Sequence, residues 1–386
     1  LFQCVGFLYI KRIFPKKGLL FHLLTGSVSG SVLLQWIPAL FAFFFGFSMT
    51  AHIMALLFVV ICLVLLYVFY HPATAVSSTA PTKDYRQLLR RNYAFLLLAG
   101  GTFVLFCILL STHTILPKDD GLHVGQCTYG DLQMHLGIIT SIANQQTFPP
   151  YYSISPWDKL CYPFLCDSVS STFYTLGASL RVAAMLPALY AFLVVVLGVY
   201  CFFDEWFKNT RVSVLATYLF FIGGGLGFAY LFNNKQLLAG EGINRWQEML
   251  EGFYKTPTNL PAEGLRWVNS IADMLIPQRA TLFGWALLFP ALQLLHRAVM
   301  QREYKCIVPL GIIAGCMPLV HTHSFLAIGI ISAFLFVAAL GKMLMSGVSE
   351  KHEKLAVRNL GLFVCSAIVG AGCCCRGEGE PEHDRG

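Results

Sequence analysis

The chain has 386 residues, 56% of them hydrophobic and only 12% charged, against about 45–50% apolar and about 25% charged in a soluble domain. A water-soluble core of this size cannot hide so much apolar surface, so a purely soluble fold is excluded. The formal net charge of +7 does not indicate nucleic acid as a partner, because the basic residues fall in short clusters between apolar runs and form no patch.

The chain opens at Leu1 with ten residues that are apolar apart from Gln3, and no basic region before them, unlike a secretory signal peptide. It reads as a segment cut from a longer protein. A spanning helix needs about 20 mostly apolar residues, and spans are predicted at 19–46, 51–70, 93–114, 181–203, 212–232, 281–296, 306–322 and 324–341, with partial spans at 1–10 and 359–375. The span at 281–296 is short and is expected to begin earlier or to tilt. After Cys373-Cys374-Cys375 a hydrophilic tail, 376–386, breaks off the last helix, as a disordered end or a shifted reading frame would. Residues 1–375 therefore read as one multi-pass, all-α transmembrane domain truncated at both ends.

Thirteen cysteines would suggest a disulfide scaffold in a small secreted protein. Here Cys62, Cys107, Cys201, Cys316 and Cys365 lie in apolar runs, where a thiol behaves as a small hydrophobe. Cys127, Cys161 and Cys166 share a polar segment, and one pair of them can bridge if it faces an oxidising compartment. Gly26, Gly30, the Gly100-Gly101 pair and Gly223-Gly224-Gly225-Leu226-Gly227 read as close helix packing in lipid. The last of these lacks the strand and lysine of a phosphate loop.

Charge sets the expected sidedness. Lys11-Arg12, Lys16-Lys17, the 71–92 loop with Arg90-Arg91, the 204–211 loop, the 297–305 loop with Arg297, Arg302 and Lys305, and the 342–358 loop all carry excess lysine and arginine. Alternation of the spans puts these loops on one side, the cytoplasmic one by the positive-inside rule. Two long segments, about 115–180 and 233–280, then lie outside. Their aromatic and proline content argues against disorder, and short amphipathic helices lying on the membrane face are expected there.

The most informative stretch is Tyr129-Gly130-Asp131-Leu132-Gln133-Met134-His135. Gly130-Asp131 reads as a helix start with the carboxylate near the positive end of the macrodipole, and His135 lies four residues on, on the same face. Such a pair can bind a divalent metal or orient a hydroxyl for proton abstraction. The other reading is a helix cap at Asp131 and an interfacial histidine. Asp119-Asp120-Gly121 is either an ordinary turn or an acidic site near a phosphate-bound cation. His321 and His323 fall between two spans, and a turn there would let them converge on one ion, with Asp131 as a further ligand; the alternative is a pair resting at headgroup level.

Taken in order, Asp120-Gly121, Tyr129-Gly130-Asp131 with His135, Phe148-Pro149-Pro150, Leu160 and Tyr162-Pro163-Phe164 resemble the first large external loop of the GT-C superfamily of polytopic glycosyltransferases. Trp267-Val268-Asn269, Pro277-Gln278-Arg279 and His321-Thr322-His323-Ser324 extend the resemblance over roughly 90–345. It is nearest to a largely uncharacterised group of bacterial membrane proteins. The resemblance implies external loops enclosing a cavity, a polyprenyl-phosphate sugar donor, an extracytoplasmic acceptor and an acidic catalytic residue, matched here by Asp131. Many members carry two adjacent acids where this chain has Gly130-Asp131, which puts dependence on Mg or Mn in question.

The chemistry of transfer needs a base for the acceptor hydroxyl and cations for the departing phosphate. Asp131 and His135 are the catalytic candidates. Asp120, Gln278, Arg279 and Arg266 are the substrate-binding candidates, with the planar fork of Arg279 suited to phosphate or, alternatively, snorkelling to the interface. His321 and His323 are the metal candidates. The expected function is a membrane glycosyltransferase in a bacterial cytoplasmic membrane, its site facing outward and in contact with membrane lipid. The alternatives are a transporter or flippase of lipid-linked saccharides, which needs charged groups along its spans, and a non-catalytic membrane protein.

Overall fold

A computed structural model describes residues 1–69, 85–125, 130–155, 157–223, 259–260, 265–266 and 269–346, with backbone alone for 85–91, 259–260, 265–266, 342, 343, 345 and 346. The protein is an all-α, multi-pass membrane protein. Among the described residues six helices are long and apolar enough to cross a bilayer: within Leu19–Phe45, Met49–Val68, Asn92–His113, Leu180–Phe207, Arg279–Met300 and Thr322–Gly341. The chain divides into two compact units, Leu1–Val76 with Ser141–Val169 and Phe283–Gly386, and Ser77–Thr140 with Ser170–Leu282.

In the first unit α1 (Phe2–Ile13) packs along α2 (Leu19–Phe45), and both meet α3 (Met49–Val68). The α1–α2 contact is a glycine crossing. A Cβ on Gly6 would sit 2.3 Å from the Gly26 carbonyl oxygen, and one on Gly26 would sit 2.8 Å from Phe7 Cα. Only hydrogen at these positions lets the two backbones approach this closely, as lipid-embedded helices without a hydrophobic drive require. The reading of Gly26 and Gly30 holds. Gly100 and Gly101 differ: among the described residues nothing lies within 4 Å of where a Cβ would stand.

One end of this unit is tied by charge. Lys17 Nζ pairs with Glu303 Oε1, Arg297 lies 3.8 Å from the other Glu303 oxygen, and its guanidinium covers the Phe21 ring at 4.7 Å. The 27 residues of α2 run about 40 Å from there at about 1.5 Å per residue. At the far end Phe47 N–H donates to the Gln146 carbonyl, and Leu165 N–H donates to that of Leu319. Phe148 packs on Phe43, Phe47 and Phe164, so both aromatic-proline motifs of this segment serve to cap the end of α2. The Lys17 and Arg297 clusters thus share one end, as the charge pattern requires.

The apolar run at 306–322 is not one span. A 3-10 turn at Tyr304–Cys306 leads into α10 (Ile307–Gly315), which is only nine residues long and gives way to a turn. Pro318 follows, and a proline both lacks a donor and restricts the residue before it. A new helix, α11 (Thr322–Ser346), begins after that turn. Cys161 and Cys166 form no disulfide with a described residue; Cys127 lies outside the described residues.

In the second unit α4 (Tyr85–His113), α7 (Leu180–Phe207) and α8 (Thr210–Ile222) pack together. Phe106 stacks on Phe192 at 3.9 Å and Phe95 on Tyr200 at 3.9 Å. Ser179 and Asn209 side chains accept backbone N–H groups at the starts of α7 and α8, satisfying donors that a helix start leaves unpaired. The predicted span at 212–232 is helical to Ile222; 224–232 lies outside the described residues, as do 359–375 and the 376–386 tail.

The segment after α4 is not helical at first. Ile115–Lys118 (β1) pairs antiparallel with Gly121–Val124 (β2), Lys118 opposite Gly121. Asp119-Asp120 forms the two-residue loop of this hairpin, and Gly121 takes φ +140°. Helices α5 (Asp131–Gln145) and α6 (Leu165–Thr175) follow. A short pair, Asn259–Leu260 (β3) with Leu265–Arg266 (β4), and a π-helical turn at Ser270–Leu275 precede α9 (Arg279–Met300).

Candidate functional site

The site is built in the second unit on the start of α5. Ile115, Leu132, Ile139 and Ala184 form a buried cluster, with Val124, Leu136 and Leu180 packed on it. The Leu132, Leu136 and Ile139 stripe therefore faces protein, and it fixes the orientation of the helix on which Asp131 is the first residue. Asp131 itself is half-buried.

Gln278 reaches this carboxylate. Its Nε2 donates to Asp131 Oδ2 at 3.0 Å, and its Oε1 accepts from the Thr281 hydroxyl at 2.9 Å. Thr281 has only a donor to offer that oxygen, so it sets the amide with its NH2 group toward Asp131. Two candidates from separate stretches of sequence are thus joined, and Thr281 is a third member that sequence reasoning missed. The spacing Gln278-x-x-Thr281, one turn at a helix start, is the signal that marks it.

Arg279 sits beside this pair but points inward. It is 2% exposed, and its guanidinium donates to the Ala184 carbonyl at 2.7 Å and the Ser170 hydroxyl at 2.5 Å. Neither a phosphate-binding fork nor a snorkelling arginine describes it, because no phosphate or headgroup reaches a side chain so enclosed. Its role is to fix the start of α9 against α7, and Gln278 with it. His135 likewise is 0% exposed, so Asp131 and His135 do not form an open pair.

Arg181 stands in the first turn of α7. Its Nη2 donates to the Ser111 carbonyl at 3.2 Å, and its Nε is buried with no hydrogen-bond partner among the described residues. The adjacent Leu180 packs on the cluster that holds Leu132, next to Asp131. Arg181 is thus a partly exposed guanidinium on the helix start that packs against the Asp131 helix.

Asn269 supplies the second support. Its Oδ1 accepts from Ile271 and Ala272 N–H, capping the π turn, and its Nδ2 donates to the Phe221 carbonyl at 3.0 Å. Ser270 Oγ bonds the Phe220 carbonyl at 2.9 Å, so the turn that delivers Gln278 is anchored to the end of α8. The Asn269 N–H donates to Asp273 Oδ2 at 2.8 Å. Burial pushes the Asp273 carboxyl above its usual range, and that backbone bond opposes the rise.

Asp120 is elsewhere. It stands exposed in the hairpin loop and pairs with His123 Nε2 at 2.8 Å, a contact that, with a backbone hydrogen bond, holds its carboxyl below the usual range. For Arg266 the backbone pairing with Asn259 is what the structure describes; its side chain, and Trp267-Val268, lie outside.

The histidine pair belongs to the first unit. His321 precedes α11, its ring centroid 5.4 Å from that of His323, and its Nδ1 shares a 2.7 Å hydrogen bond with the Ser324 hydroxyl. The turn does bring the two rings together. Gly284 makes room, since a Cβ there would lie 2.4 Å from His321 Cβ. Burial, then the neighbouring His323, push the His321 imidazole down to about 4. Imidazoles suit zinc, copper, iron or nickel, whereas Mg and Mn favour carboxylate and carbonyl oxygens. The histidine pair is therefore not the donor set that Mg or Mn favours, whereas Asp131 offers carboxylate oxygen.

Compared with known proteins, the chain matches no family model, no curated protein and no solved structure.

Proposed function

We propose that the protein is a membrane glycosyltransferase in which Asp131 is the general base, acting on a polyprenyl-phosphate-linked sugar and an acceptor hydroxyl at the extracytoplasmic face. The observation that carries this reading is the 3.0 Å bond between Gln278 and Asp131, which joins the two motifs of the GT-C resemblance at one carboxylate. Gln278 engages one oxygen of Asp131, and the other is assigned to the acceptor. The acceptor oxygen attacks the anomeric carbon, its proton passes to Asp131, the bond from that carbon to the phosphate oxygen breaks, and the lipid phosphate leaves. Arg181 supplies positive charge for the leaving phosphate, and Arg279 and Asn269 act as positioning residues.

A transporter reading needs charge along the spans. Helices α2 and α3 hold none, and in the other candidate spans charge gathers toward the ends, at Arg181, Asp204, Glu205, Arg279 and Arg297. That distribution favours the enzyme. The test is to incubate membranes holding the full chain with labelled polyprenyl-phosphate sugars and follow label into acceptor. Transfer that is lost in Asp131→Asn, with insertion intact, is the expected result; transfer undiminished by Asp131→Asn would remove Asp131 as the base.

A further inference from the structure

A lateral groove in the first unit is independent of the Asp131 site. It has a volume of about 430 Å³ and is lined by α1, α2, α3 and α10, with Val32, Leu33, Leu65 and Ile312 among its walls and Tyr9, Arg12 and Ser29 among its polar lining residues. That volume lies within the about 300–1,000 Å³ range of small-molecule sites. Two of its walls, α2 and α3, are helices apolar enough to cross a bilayer, and α10 is a shorter apolar helix, so hydrocarbon is the medium that reaches it.

The groove has a polarity. Arg12 is in the last turn of α1 and Phe69 follows the end of α3, while Pro309 is in the first turn of α10, directly after the loop that carries Glu303. All three lie toward the end marked by the Lys17–Glu303 ion pair. Arg12 is exposed and makes no ion pair with an acid among the described residues. Lys11 and Lys16 are exposed beside it.

We infer that this groove holds one anionic glycerophospholipid, its phosphate on the Arg12 guanidinium and one acyl chain laid between α1 and α3. Guanidinium binds phosphate through paired N–H donors. A basic cluster at the end of a span is where anionic headgroups gather. The long apolar trough selects a chain over a soluble phosphate, and the arginine at its mouth selects an anionic headgroup over a zwitterionic one.

Native mass spectrometry of the purified full chain, titrated with phosphatidylglycerol or phosphatidylcholine, tests this. One retained phosphatidylglycerol is expected, bound at least tenfold more tightly than phosphatidylcholine. Arg12→Ala abolishes that preference, and Lys16→Ala, outside the groove, keeps it. Cys62→Phe fills the trough from the lipid-facing side of α3 and weakens retention of both lipids, which also covers the case in which Arg12→Ala fails to fold. Equal binding of the two lipids, equal loss in Arg12→Ala and Lys16→Ala, or undiminished retention in Cys62→Phe would each overturn the inference.

Discussion

The Gln278 amide donates to Asp131 Oδ2 at 3.0 Å across 147 positions of sequence, and its orientation is set by Thr281. In this arrangement the carboxylate is held by a neutral donor, so it keeps a place for a substrate proton. Gln278→Ala is expected to lower sugar transfer about 10²-fold, the scale of a misplaced catalytic group. Gln278→Glu sets a second carboxylate against the first and abolishes transfer. Thr281→Val, which frees the amide to turn, costs roughly 1 kcal/mol of transition-state binding. Initial rates in membranes check all three, and a Gln278→Glu variant of normal rate would break the link between this contact and catalysis.

Arg279 is expected to act on the fold and not on the phosphate. Arg279→Ala leaves the Ala184 carbonyl and the Ser170 hydroxyl without their buried donor, at a cost of about 3 kcal/mol for bonds to a charged group. Denaturation of the purified protein should show this loss, and activity should fall in parallel with the folded fraction. A fully stable Arg279→Ala protein lacking donor affinity would instead return Arg279 to the phosphate.

How much of this was legible in the sequence depends on what each residue's neighbours decide. The spans were legible because lipid demands long apolar runs, and Leu19–Phe45, Met49–Val68 and Leu180–Phe207 fall close to the predicted limits. The run at 306–322 misled because apolarity is blind to the break that Pro318 marks. The hairpin was missed because Asp119-Asp120-Gly121 announces a turn, while Pro117 in β1 argues against a strand. Asp131 and Gln278 were both legible as candidates. Their bond was not, since contact between residues 147 positions apart is set by tertiary packing. Burial reversed Arg279, since a guanidinium has the same letter whether it faces water or Ser170.

The glycines give a paired prediction. Gly6→Ala drives a methyl into the Gly26 carbonyl, 2.3 Å away, and overpacking of this kind costs about 1–3 kcal/mol. Gly100→Ala meets no described residue within 4 Å and should be neutral or stabilising by up to about 1 kcal/mol, since alanine is the better helix former. Thermal unfolding in detergent distinguishes them; equal effects would place the α1–α2 crossing elsewhere.

Asp273 carries a pH signature. Its folded carboxyl lies above the unfolded value because burial disfavours the charge. Between the two values the native state holds more protons than the unfolded one, so stability falls as pH rises through that window. Below it the penalty is absent. Asp273→Asn keeps a carbonyl oxygen to accept the Asn269 N–H and should flatten this slope, read from unfolding midpoints between acidic and neutral pH. An unchanged slope would assign the titration to another group.

Beneath the proposed chemistry lies sidedness, and chemical labelling reads it directly. In a cysteine-depleted full chain, Gln133→Cys at an exposed position of α5 and Lys16→Cys at the basic end are each treated with a membrane-impermeant maleimide. The account predicts labelling at position 133 in intact cells and at position 16 only after permeabilisation. Labelling at 133 that requires permeabilisation would put Asp131 in the cytosol and contradict both the topology and the enzyme.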